Sequence, residues 1–160
     1  MLKLYKLIDS RFHYREAWAH EGTVFEHWGI VGERGQVKEH PFTQGGDEEV
    51  AIVEVLRGAS EAGFLPIDYA DFAVLLIEYS VDGFGTAEDL EKRYAVESRM
   101  NETLGWTGLG HCDGGSIGSG TMEVCCLVVD FDVAERVIEA DLNGTAYADY
   151  SRIYAEDEGL

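Results

Sequence analysis

Hydrophobic and polar residues alternate from the start of the chain, and the alternation predicts β-structure first. LKLYKLI, residues 2–8, places Leu2, Leu4 and Lys6 on one side of a strand. A turn at Ser10 leads into a second strand over 13–21, carrying Tyr14 and Trp18. Glu21-Gly22 reads as a turn. TVFEHWGIV, 23–31, reads as a third strand, with Val24, Glu26 and Trp28 opposite Phe25, His27 and Gly29. The glycine-bounded GERG, 32–35, is a further turn, and QVKEHPF, 36–42, a fourth strand. Pro41 puts the end of that strand on a sheet edge, because proline cannot donate to a ladder.

The period then changes. Ile52, Val55, Leu56 and Ala59 fall at i, i+3, i+4 and i+7, which predicts a helix over 48–62. Asp47 would cap it, and Gly63 would stop it. The connector 63–71 carries Pro66 and marks a boundary between domains at 1–68 and 69–160. Beyond it, 72–80 reads as a buried strand. Thr86 and Asp89 form a capping box that opens a helix to about 103, with Ala87, Leu90, Tyr94 and Leu104 as its apolar face. GWTGLGHCDGGSIGSG, 105–120, is glycine-rich, and a β-prone strand lies within 121–132. Asp132 and Glu135 predict a second capping box, with Val133, Ala134, Val137 and Ile138 apolar behind it and Gly144 at the end. A last strand is expected over 147–155. If the glycine stretch supplies a strand, the second half reads βαββαβ, the ferredoxin-like order, and the chain is α+β throughout.

Charge sharpens this picture. The 160 residues carry a formal charge of -19. Residues 1–68 hold 12 acidic and 7 basic side chains, against 19 and 5 in 69–160. Such a surface repels nucleic acid and anionic membranes and favours a protein partner with a basic surface. No apolar run approaches the roughly 20 residues that span a bilayer, so no membrane association is expected. Cys112, Cys125 and Cys126 are odd in number, two of them adjacent, which argues against a disulfide framework and for a reducing, cytoplasmic setting.

Several clusters invite chemistry. His111, Cys112 and Asp113 bring together a base, a thiol and a carboxylate, but neighbours on a strand point to opposite faces, so Cys112 should turn away from His111. Ser116 and Ser119, with the backbone N–H groups of the glycine stretch, suggest an anion-holding nest. The stretch lacks the lysine and the strand–loop–helix order of a P-loop. His20 and His27 flank a hairpin centred near Gly22-Thr23 that would let them face each other, with Glu26 or Glu39 nearby, yet proper zinc-ligand spacing is missing. The expectation is a non-enzymatic protein with no cofactor and no metal.

Phe25, Trp28-Gly29, Val31-Gly32, Gly35-Gln36, Lys38 and Phe42, followed by the capped helix and Gly63-Phe64 with Pro66, resemble a WGR domain over about residues 2–68. Ile30 stands where that family's name-giving arginine would be, so the arginine's role does not carry over. The resemblance implies an antiparallel sheet with one helix. It also implies, by similarity to the WGR domains of poly(ADP-ribose) polymerases, contact with DNA ends through the hairpin bearing Trp28, Arg34 and Lys38. The stretch from Gly110 to Leu142, with its DG-x-x-x-GSG sequence, resembles small ferredoxin-like domains of bacterial proteins and implies a fold without a function. The expected role is thus binding or adaptor work of a bacterial type. The partner is a basic protein, as for an immunity or antitoxin-like protein, with DNA as the alternative and a homodimer compatible with either. The binding residues are expected among Trp28, Arg34, Lys38, His111, Asp113, Ser116 and Ser119.

Overall fold

A computed structural model describes residues 1–42 and 45–156 as an α+β protein with two four-stranded antiparallel sheets and three α-helices. The chain divides into two compact units, Met1–Tyr69 and Ala70–Leu160.

The first unit is a meander in the order β1 (Leu2–Ile8), β2 (Arg11–His20), β3 (Thr23–Ile30), β4 (Gln36–Pro41). Two-residue turns join the first three strands. Asp9 and Ser10 have φ of 49° and 65°, and Glu21 and Gly22 have φ of 47° and 79°. Positive φ at both central residues is the type I′ geometry, whose twist matches that of the flanking strands. Such tight turns fix the register: Arg15 lies opposite Trp28, and Glu16 opposite His27. Pro41 ends β4 on an outer strand of the sheet, as its missing N–H requires.

α1 (Glu48–Glu61) begins at Asp47, whose carboxylate accepts from the N–H groups of Glu49 (2.9 Å) and Val50 (3.2 Å). It ends with Gly63 at φ 90°, where Gly63 N–H reaches Ser60 O and Phe64 N–H reaches Ala59 O, a Schellman closure. Ile52 and Leu56 pack on Leu4, Ala17 and Val24, with Leu2, Ala19, Phe42, Val55, Ala59 and Phe64 around them. The returning chain then pairs Leu65 with the outer edge of β1 at Tyr5.

The second unit has the sheet order β6-β7-β5-β8, from β5 (Ala73–Ser80), β6 (Gly110–Gly118), β7 (Thr121–Val128) and β8 (Arg152–Ala155). α2 (Ala87–Trp106) joins β5 to β6, and α3 (Phe131–Leu142) joins β7 to β8. That is the split βαββαβ arrangement of a ferredoxin-like fold. The glycine stretch forms β6 and ends in a third type I′ turn, Ser119 and Gly120, at φ 54° and 87°. Met122, Val124, Cys126 and Val128 of β7 are buried, as are Val96, Met100 and Leu104 of α2 and Ala134, Ile138 and Leu142 of α3.

Several boundaries differ from the sequence expectation: β2 runs Arg11–His20 rather than 13–21, and three differences lie in the second unit. α2 runs on to Trp106 and buries Val96 and Met100, while Tyr94 stays exposed. α3 is capped by Asp130, whose carboxylate accepts from Val133 N–H at 3.0 Å, and Asp132 falls in the first turn. Both aspartates precede the apolar run, but Asp130 is the one with extended backbone. The last strand is shorter than expected because turns occupy 143–149.

Candidate functional site

Strand alternation sorts the first unit's side chains onto two faces. Lys6, Arg11, Arg15, Trp28 and Lys38 share the face on which α1 packs. The Arg15 guanidinium sits over the half-buried Trp28 ring, 5.2 Å from its centroid. Arg34 is exposed in the 31–35 loop, and Lys38 is exposed on β4 across from Glu26. The expected residues Trp28 and Lys38 are therefore brought to one face, with Arg15 joining them from β2.

These bases have carboxylates beside them. Arg15 Nη1 donates to Glu26 Oε1 at 3.0 Å, while Glu26 Oε2 lies 2.8 Å from His40 Nε2. Arg11 Nη2 donates to Glu33 Oε1 at 2.5 Å. Lys6 Nζ donates to the Ala62 carbonyl at the end of α1. The positive face is thus partly neutralised by its own neighbours.

The opposite face holds a buried polar chain. Glu16 and His27 are 5% and 1% exposed. Glu16 Oε1 is 2.6 Å from His27 Nδ1, and Oε2 is 3.2 Å from Lys3 Nζ. His27 Nε2 is 3.0 Å from the Tyr14 hydroxyl. A carboxylate only accepts, so Nδ1 carries the hydrogen, and in the neutral ring Nε2 is the acceptor that faces the Tyr14 hydroxyl. Burial pushes the Tyr14 phenol well above its usual range, the charge of Glu16 adds to this, and a backbone hydrogen bond from Gly35 opposes it. The chain resembles a proton relay in its parts. Its end, Tyr14, is sealed inside, so the network serves as a strut that fastens the 31–35 loop to the sheet.

This register corrects the idea that His20 and His27 face each other. With the turn at Glu21-Gly22, His20 pairs with Thr23 and His27 with Glu16, while His40 stands on the other face. Among the described residues, no group of three or more His, Cys, Asp or Glu side chains is placed to hold a metal ion.

In the second unit, His111, Asp113, Ser116 and Ser119 are strung along β6 and its turn. At roughly 3.4 Å per residue, His111 and Ser119 are more than about 20 Å apart. His111 lies opposite Leu127, with Phe72 edge-on to its ring. Cys112 lies opposite Cys126 and takes the helix-covered face, so thiol and imidazole point apart. Asp113 falls in a bulge between Cys112 and Gly115, and its charge adds to burial in raising the thiol of Cys125. The Ser116 hydroxyl donates to Glu123 Oε2 at 3.0 Å, and Tyr154 donates to Glu123 Oε1 at 2.5 Å. That bond pushes the Tyr154 phenol up to about 12. Ser119 forms the turn, where Gly120 N–H is already given to the Gly83 carbonyl.

The helical layer of this unit is strongly acidic. α2 and α3 together carry nine carboxylates against four bases. Arg99 Nε bonds Asp141 at 2.6 Å, tying α2 to α3, and Lys92 bonds Asp149 at 2.7 Å. Glu88, Glu91, Glu102, Asp132 and Glu139 are exposed. Among the described residues, no helix is long and apolar enough to cross a membrane.

No protein-family model matches the chain, and neither a curated protein nor a solved structure matches it significantly.

Proposed function

We propose that the chain is a non-enzymatic binding protein whose second unit engages a protein with a basic surface, through the acidic layer of α2 and α3. The observation that carries this reading is the acidic excess of α2 and α3, nine carboxylates against four bases: Lys92 and Arg99 are held by Asp149 and Asp141, Arg136 is exposed, and Glu88, Glu91, Glu102, Asp132 and Glu139 face solvent. An acidic field of this kind raises the rate of encounter with a basic partner and rejects acidic ones. Neutralisation of a basic effector, as immunity or antitoxin proteins perform it, fits this surface. A cytoplasmic setting suits the free cysteines.

The test is capture at about 150 mM salt, where exposed charges more than about 8 Å apart are screened. Wild-type protein is compared with a Glu88→Lys, Glu91→Lys, Glu102→Lys variant. A basic protein retained by the wild type and lost by the variant is the expected result. Identical retention by both overturns the assignment to α2.

A second reading, contact with DNA ends by a WGR-like first unit, draws on the Trp28 face, which Lys6, Arg11, Arg15 and Lys38 share. It predicts affinity for duplex ends that fades with salt and falls when Arg15 and Lys38 become alanine. The ion pairs to Glu26 and Glu33 rank this reading second.

A further inference from the structure

Cys112 and Cys126 stand directly across from each other on the hairpin of β6 and β7. The N–H of Cys112 points away from β7, to the side-chain carbonyl of Asn101 at 2.9 Å. An N–H turned outward on an edge strand marks a non-hydrogen-bonded pair, in which Cα atoms approach to about 4.5 Å. That lies inside the range of about 4.4–6.8 Å that a disulfide spans. The two sulfurs are already 3.0 Å apart. The next ladder position on β6 is a bulge with Gly114 at φ 91°, which lets the edge strand shift without disturbing the buried β7.

We propose that Cys112 and Cys126 form an oxidisable pair, a modification site at which a peroxide closes a disulfide across the two strands. Cys112 is half-buried and Cys126 fully buried, so Cys112 meets the oxidant. The contact with Cys112 and then burial raise the Cys126 thiol, which keeps it protonated and leaves the first reaction with peroxide to Cys112; the 3.0 Å approach of the two sulfurs is what brings Cys126 to the second step. The Cys112 thiolate attacks one oxygen of hydrogen peroxide and breaks the O–O bond. It becomes a sulfenic acid, and the released hydroxide takes up the thiol proton as water. The sulfur of Cys126 then displaces hydroxide from the Cys112 sulfur, and the Cys126 proton leaves with that hydroxide as a second water. Two thiols and one peroxide thus give one disulfide and two waters, with both sulfurs oxidised and the peroxide oxygens reduced. A dithiol reductant reverses the step by exchange. Cys125 points to the opposite face of β7 and takes no part.

Thiol counting on the whole protein after brief treatment with hydrogen peroxide tests this, together with digestion by a protease that cuts after glutamate. Glu123 separates Cys112 from Cys126, so a disulfide holds two fragments together until reductant is added. The three free thiols of the wild type are expected to fall to one. In Cys125→Ser, two should fall to none, with the same linked fragments. In Cys112→Ser, no linked fragments should form. Retention of all three thiols at a peroxide dose that oxidises free cysteine would overturn the proposal. So would fragments that stay unlinked in Cys125→Ser, or a disulfide that joins two chains.

Discussion

Replacing Gly35 with alanine puts a methyl group where the first unit has no room for one. A Cβ at that position would collide with the Tyr14 hydroxyl and the Trp28 carbonyl and sit 2.7 Å from His27 Nε2. None of these atoms can give way easily. The carbonyl is backbone of β3, and the phenol is held by its 3.0 Å contact with His27. The loop must therefore lift, or the polar chain must break. Overpacking costs about 1–3 kcal/mol, and leaving a buried donor or acceptor without its partner costs about 1–3 kcal/mol more, so the loss expected is about 2–6 kcal/mol. Urea unfolding followed by tryptophan fluorescence measures it. In a Trp106→Phe background the signal comes from Trp18 and Trp28 alone, both in the first unit. A loss below about 1 kcal/mol, less than overpacking alone should cost, would refute the reading that Tyr14, His27 and Gly35 form one close-packed unit.

Gly58 gives the opposite result for the same substitution. It lies exposed inside α1, with nothing within 4 Å of the place an alanine Cβ would take, and Gly58→Ala should raise stability by about 0.5–1 kcal/mol in the same urea assay. Tyr14→Phe keeps the ring packing and removes the hydroxyl that meets His27 Nε2 and the Gly35 N–H. It should therefore cost about 1–3 kcal/mol, less than Gly35→Ala. The phenols of Tyr5, Tyr14 and Tyr79 are held above their usual range, by burial first and by nearby carboxylates second. A raised folded-state pKa gives stability that is complete below the unfolded value, about 10, and is lost as pH climbs beyond it, at up to about 1.4 kcal/mol per phenol for each pH unit. Alkaline titration should then show tyrosinate absorbance of these residues appearing together with unfolding, and early, non-cooperative ionisation of all eight tyrosines would contradict this.

Much of the fold was legible because its signals are local. Period-2 runs bounded by turn residues marked the strands of the meander, and Asp47 and Gly63 marked both ends of α1. The capping box at Thr86 and Asp89 marked the start of α2. Sequence places the cap of α3 at Asp132, but Asp130, two residues earlier, takes the role, because backbone conformation and not residue type alone decides it. The polar chain of Glu16, His27 and Tyr14 was missed through a slip in register. A turn centred on Glu21-Gly22, rather than one residue later, places Glu16 opposite His27; moving the centre by one residue slides the pairing by two, so the faces survive and every cross-strand partner changes. The pairing of Cys112 with Cys126 depends on the turn at Ser119-Gly120 and on the bulge after Cys112, and neither has a distinct signature in so glycine-rich a stretch. Glu123 gave no local hint of its role because its partners, Ser116 and Tyr154, come from strands on either side of it in the sequence.

The claim that binding resides on the acidic helical layer is tested most directly by hydrogen exchange of the protein, alone and with the basic partner recovered by capture. Slowed exchange confined to α2 and α3 is the predicted result. Protection of the 31–35 loop and β4, with the helices unchanged, would contradict it and place the binding surface around Trp28.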